Sequence, residues 1–257
     1  DVLARLPLPQ PRGTSHLAAE VLGDAHALDD DSPAGRLVVA ALAHQAGRSG
    51  PLSAGDRRDL LAAQRVVSDG TSSRVLTLGL LPEPVGPLTE AARGWAGGHV
   101  PLPVPLAAVQ SEQWRVAPGT VVWVCENPSV PAAAAGLPVT VVCLEGQPSV
   151  AAVLLLRTLA GGGARLRYHG DFGASGITIA NQVIGDLGAE PWRFRAGDHR
   201  EALARVAAAG TTPPPLRGRV PGARWDPDLA PAVQAAGVEI EEELVMDLLL
   251  EDLRRSA

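Results

Sequence analysis

Three acidic residues stand at or near the ends of strand-like runs. Glu126 sits near the end of GTVVWVCEN (119–127), Glu145 near the end of PVTVVCLEG (138–146), and Asp171 closes ARLRYHGD (164–171). Carboxylates at the ends of adjacent parallel strands are a common way to hold Mg²⁺, a hard cation that takes oxygen ligands and keeps several waters. An ion held there can polarise a phosphodiester and activate a nucleophile. A single acid at a strand end serves equally as a helix cap or a solvated turn residue, so the spacing leaves both readings open. His169, two positions before Asp171, shares that residue's face on an extended strand, where it could orient water, act as a base or make a local structural hydrogen bond. Arg165 and Arg167 lie on the same run, with Arg157, Arg193, Arg195 and Arg200 close in sequence. They could line a phosphate track or simply a solvated face. Asn127 and Ser149, at strand-to-helix turns, are placed as caps first and phosphate contacts second.

The elements that must position these residues alternate. After Gly119 the order is strand, the small-residue helix SVPAAAAG, strand, the helix QPSVAAVLLLRTLAGGG with its glycine stop, strand, the helix ITIANQVIGDLG, and a fourth strand in EPWRFRAGD. Such alternation predicts an α/β fold with a parallel sheet covered by helices, and function gathered at the carboxyl ends of the strands. Residues 1–108 read as a smaller mixed, mainly helical region, with helical spacing at 17–28, 34–46 and 54–68, a strand at 73–81 and an extended Pro-rich connector or edge at 100–106. Residues 109–257 form the α/β domain. Val238–Leu253, VEIEEELVMDLLLEDL, has the spacing of an amphipathic helix with an acidic outer face.

Composition narrows the classes. All basic residues are Arg, as expected of a GC-rich bacterial genome, so arginine number alone is no sign of phosphate binding. The net charge of −6 argues against a chain coated in positive potential, though not against a local basic groove. Cys125 and Cys143 each end an apolar run and read as buried, reduced core thiols of a cytoplasmic protein. No apolar run reaches the roughly 18 residues of a membrane span. The chain opens on Asp1, as if an N-terminal portion were missing.

VWVCENPSV (122–130), CLEGQPS (143–149) and RYHGDFGASGITIAN (167–181), with WDPDLAPAVQAAG and EEELVMDLLLEDL near the end, occur in an order that resembles the C-terminal Toprim-like domain of the JetD subunit of Wadjet antiplasmid systems, type II branch. GDAHALD (23–29) resembles the segment that precedes that domain. The resemblance spans most of the chain from about residue 15. It implies a Toprim-like sheet related to the topoisomerase VI A subunit, preceded by a mixed helical, winged-helix-like region. It also implies Mg²⁺ as cofactor with Mn²⁺ as substitute, double-stranded plasmid DNA as substrate, SMC-like complex subunits as partners, and a homodimer.

In that superfamily a Glu after the first Toprim strand and a D-x-D after a later one bind the ion. Carried over by motif, these are Glu126 and Asp171, but the second Asp position holds Gly173. Three outcomes follow: Glu145 or the acidic cluster with Glu242 and Glu243 completes the site, one ion binds where relatives bind two, or the member is catalytically silent. Tyr168, the only tyrosine in the sequence, lies on the same strand as Asp171 and reads as a core aromatic, which makes any cleavage hydrolytic unless an N-terminal portion supplies the nucleophile. The readings carried forward are a Mg²⁺-dependent DNA endonuclease, a degenerate Toprim-like scaffold binding DNA or partner subunits, and, last, a nucleotide-binding enzyme using the DFGASG turn.

Overall fold

A computed structural model describes residues 1–9, 12–48, 50, 52, 54–67 and 73–256. The chain divides into two compact units, Asp1–Ser73 and Arg74–Ala257. In the first, β1 (Arg12–Gly13) runs into α1 (Thr14–Leu22), followed by α2 (Pro33–Gln45), α3 (Ala54–Ala63) and β2 (Val66–Val67), which pairs in parallel with β1. The Ser32 hydroxyl caps α2 by accepting the Gly35 N–H at 2.9 Å, and Pro33 opens the helix where its missing donor costs nothing. Leu17, Val38, Val39, Leu42 and Leu60 make its core. Helical spacing through 54–68 is only half met: α3 stops at Ala63 and the β-branched pair at 66–67 extends instead, while Ser68 lies outside the described residues.

The second unit comprises β3 (Arg74–Leu78), α4 (Pro87–Ala96), β4 (Leu102–Pro105), α5 (Leu106–Ser111), β5 (Val121–Cys125), α6 (Ser129–Ala133), β6 (Thr140–Cys143), α7 (Val150–Gly161), β7 (Arg165–Tyr168), α8 (Ala174–Val183), β8 (Glu190–Pro191), α9 (Ala196–Ala208), α10 (Leu229–Ala236) and α11 (Met246–Ser256). Its six strands lie in the order β4-β3-β6-β5-β7-β8. The four from β6 to β8 are mutually parallel, and β3 joins antiparallel to both β6 and β4. The fold is therefore α/β with a mostly parallel sheet flanked by helices. Strands β3 and β4 precede the residue 108 boundary read from the sequence yet belong to this sheet, because β3 pairs with β6 and so ties the unit's start to Arg74. Pro103 and Pro105 sit in β4, the edge strand, where a lost donor is tolerated.

Helix α7 is apolar almost all round and correspondingly buried, with Leu155, Leu156 and Leu159 fully enclosed. Ser149 caps it, accepting the Ala152 N–H at 3.1 Å. The expected helix from Val238 begins only at Met246. Upstream, Ile240 makes an antiparallel bridge to Phe172, and Glu242–Val245 form a short 3-10 turn. Fully buried Glu242 is turned into the protein, which a solvent-facing acidic stripe would not allow.

Truncating Leu156 to Ala should cost about 2–5 kcal/mol in a urea titration. Leu81→Ala, at a side chain 53% exposed, should change stability by less than about 0.5 kcal/mol.

Candidate functional site

Parallel pairing of β5 with β7 sets Val124 opposite Tyr168 and carries both strands out of the same edge of the sheet. Glu126 leaves β5 there and Asp171 follows β7 by three residues. The chain passes from β5 toward β6 on one side and from β7 toward β8 on the other. The crevice between β5 and β7 is thus a topological switch point, the usual ligand position in open α/β sheets.

Glu126 is buried, and the Tyr168 hydroxyl donates a short hydrogen bond to its Oε1. Gly170 permits this approach, since a Cβ there would collide with Glu126 Oε1 and the Tyr168 hydroxyl. Glu242 then joins the two strand ends. Its Oε2 accepts the backbone N–H groups of Glu126 at 3.0 Å and Asn127 at 2.6 Å, and its own N–H donates to Asp171 Oδ1 at 2.9 Å. The remaining oxygen, Glu242 Oε1, is buried without a hydrogen-bond partner.

Burial pushes the Glu126 carboxyl up to about 8, with the Asp171 charge adding to the rise against the Tyr168 hydrogen bond. Burial likewise raises Asp171 to about 6; the N–H of Glu242 opposes this, and the charges of Glu243, Glu241 and Glu239 reinforce it. Glu242 is driven well above the carboxylate range, by burial first and the Glu126 charge next. Burial is thus the first cause of the rise at all three carboxyls of this edge.

Residues 102–253 match the family model described as Protein of unknown function C-terminus (DUF2399), and residues 1–82 match Protein of unknown function N-terminus (DUF3323). The chain belongs to the DUF2399 family. No curated protein matches it.

Of the residues singled out in the sequence, the DUF2399 part brings Glu126, Asp171 and Glu242 together. Glu243 is at the rim, exposed, its Oε1 accepting from the Asn127 amide. Glu145 is not brought in. The antiparallel register of β3 with β6 sets it opposite Arg74, with which it makes a 3.5 Å ion pair.

His169 does not reach the carboxylates either. Strand alternation sends Tyr168 to Glu126 and His169 the other way, among Phe172, Trp192 and Phe194. Its Nδ1 donates to the Trp192 carbonyl at 2.9 Å, and burial lowers its pKa to about 4, so the ring is neutral.

The arginines expected along a phosphate track are committed within the fold. Arg165 and Arg167 pair with Glu190 at 3.2 and 3.5 Å, with Arg167 also over the Trp123 ring. Arg193 pairs with Asp252 at 2.6 Å, and Arg195 donates to the Trp225 carbonyl at 3.3 Å. Cys125 and Cys143 are buried, free thiols.

Among the described residues no group of three or more His, Cys, Asp or Glu converges as a ready-made metal cage. The donor set nevertheless fits a hydrated Mg²⁺, which is held by one or two carboxylates and substrate phosphates while keeping waters. The buried, partnerless Glu242 Oε1 also marks an edge short of positive charge or donors.

Sequence reasoning missed the Tyr168 contact and the joining role of Glu242. Period-two alternation could have shown the first, since it puts Tyr168 and Gly170 on one face and His169 on the other.

Because Glu126 holds its proton up to about 8 in the folded chain and to its ordinary 4.5 when unfolded, its contribution to stability is lost as pH rises between those values. His169 acts in the opposite sense, but only between about 4 and its ordinary 6.5. In EDTA, unfolding free energy should therefore fall from pH 6.5 to 8, by up to about 1.4 kcal/mol per pH unit for one such group. Glu126→Gln should lessen that slope in urea titrations, with Glu242 keeping its own share. An unchanged slope would mean that Glu126 is ionised throughout.

Proposed function

We propose that this chain is the metal-dependent DNA endonuclease subunit of a bacterial antiplasmid defence system, its Toprim-like sheet hydrolysing phosphodiesters at Glu126 and Asp171. The observation that carries the reading is the convergence of these two carboxyl groups at the carboxyl ends of adjacent parallel strands, at a switch point of the sheet. The paired DUF2399 and DUF3323 models are the domain pair of JetD-like proteins, which supports the same assignment.

Glu126 and Asp171 would hold Mg²⁺, or Mn²⁺ in its place. When bound, the ion supplies charge to polarise a phosphodiester and to lower the pKa of water. The residues of the chain do the positioning. Tyr168 and the N–H of Asp171 orient the Glu126 carboxylate, and Glu242 fixes the backbone at both strand ends. Tyr168, the only tyrosine, is fully buried and spends its hydroxyl on Glu126, so it is out of reach of DNA as a nucleophile. Hydrolysis by water is the consistent route. The proposal extends to plasmid DNA as substrate, SMC-like subunits as partners, a homodimer and a cytoplasmic setting; among the described residues no helix is long and apolar enough to cross a membrane.

The lack of a ready-made cage and the glycine at 173 favour a second reading, a scaffold that binds DNA or partner subunits without cutting. Plasmid cleavage with Mg²⁺ or Mn²⁺ separates the two. The nuclease reading expects metal-dependent nicking or linearisation that Glu126→Gln and Asp171→Asn each reduce to background and that Tyr168→Phe, which removes only the orienting hydroxyl, lowers without abolishing. DNA retention without cleavage, unaffected by either carboxylate substitution, would favour the scaffold.

A further inference from the structure

A phosphodiester backbone is a polyanion, and carboxyl groups at a strand end repel it unless positive side chains lie beside them. The chain has a net charge of −6, and Arg165, Arg167 and Arg193 spend their charge on Glu190 and Asp252. The counter-charge has to come from another element.

The segment between α9 and α10 supplies it, reading TTPPPLRGRVPGARW over 211–225. Its main chain is tied down along its length. The Leu216 N–H donates to the Gly237 carbonyl at 2.9 Å and the Val220 N–H to Gln234 Oε1 at 3.1 Å. Asn181 of α8 accepts the Arg224 N–H at 3.0 Å and donates to the Gly222 carbonyl at 2.9 Å. Consecutive prolines at 213–215 stiffen the approach. Arg224 is paired with Asp186 at 2.8 Å. Arg217 and Arg219 are different: both are exposed, and neither side chain makes a hydrogen bond or ion pair among the described residues. Gly218, at φ +78°, turns the chain between them.

Their place in the fold is fixed by hydrogen bonds. The Arg217 N–H donates to Glu239 Oε1 at 3.2 Å. That oxygen lies over the β7 turn, 3.1 Å from where a Cβ on Gly173 would stand, and the Gly173 N–H donates to the Asp171 carbonyl at 2.9 Å. Glu239 also precedes Ile240, which bridges Phe172. A single carboxylate thus separates the main chain of Arg217 from the turn that carries Asp171, a gap within the reach of an arginine side chain.

We infer that Arg217 and Arg219 form a phosphate-binding loop that takes the backbone of duplex DNA beside the edge carrying Glu126 and Asp171. The inference rests on the reading of that edge as a site acting on DNA. An arginine paired within the fold has to give up its carboxylate to meet a phosphate, whereas these two give up only water, and the pinned main chain holds them in place at no further cost in loop order.

The test is fluorescence anisotropy of a labelled DNA duplex titrated with the full chain in EDTA over a series of salt concentrations, so that neither cleavage nor cation binding enters the readout. Circular dichroism checks the fold of each variant. Arg217→Gln with Arg219→Gln removes both charges and keeps the N–H that Glu239 accepts. At about 0.1 M salt it should weaken binding about tenfold or more, and the slope of log affinity against log salt should become shallower by about 2. Arg115→Gln with Arg157→Gln removes the same charge from exposed arginines outside that loop, Arg115 beside Gly162 ahead of β7, and should change affinity by less than about twofold. Equal losses in the two double variants, or binding unchanged by the first, would overturn the inference and leave the DNA reading of the edge standing. No DNA binding by the unsubstituted chain would remove that reading, and this inference with it.

Discussion

The carboxylate of Glu242 holds the functional edge of the molecule together. One of its oxygens accepts two backbone N–H groups at the end of β5, and the backbone N–H of Glu242 donates to an oxygen of Asp171 after β7. Hydrogen bonds to a charged group are worth about 1.5–3 kcal/mol each. Burying a carboxylate costs several kcal/mol after relaxation. The two sides nearly cancel, so the group takes up a proton or requires a nearby positive charge. The same balance governs Glu126, and the raised carboxyls of the edge are its visible result.

The sheet turns that local balance into a location. Parallel pairing delivers Glu126 and Asp171 to one edge, and the opposite exits of β5 and β7 open the crevice between them. Gly170 lets the Glu126 carboxylate and the Tyr168 hydroxyl close over the strand end. On the other face of β7, His169 belongs to an aromatic cluster with Phe172, Trp192 and Phe194, which packs the strand from behind. One strand thus sends the Tyr168 hydroxyl to Glu126 and the His169 ring into the aromatic cluster.

Much of this was legible in the sequence, for reasons of local periodicity. The strand-like runs ending in Glu126 and Asp171, and the near-continuously apolar helix α7, announce themselves within a dozen residues. What depends on distant pairing did not. Glu145 and Arg74 meet only because β3 runs antiparallel to β6, and Glu190 claims Arg165 and Arg167 only because β8 lies beside β7. The stretch from Val238 has a helical pattern, yet its first residues extend to bridge Phe172, and tertiary contact overrides propensity there. Asp171 was readable as a strand-end acid; the Glu239 side chain across Gly173 was not, since no local spacing links positions on either side of that bridge.

The bridge between Phe172 and Ile240 also sets an order of assembly. Glu126 and Glu242 are separated by 116 residues, and Asp171 and Glu242 by 71. During synthesis the parallel strands leave the ribosome well before the segment that joins their ends. A nascent chain halted before Ile240 lacks Glu242, so the contacts that join the two strand ends form only after that segment has emerged.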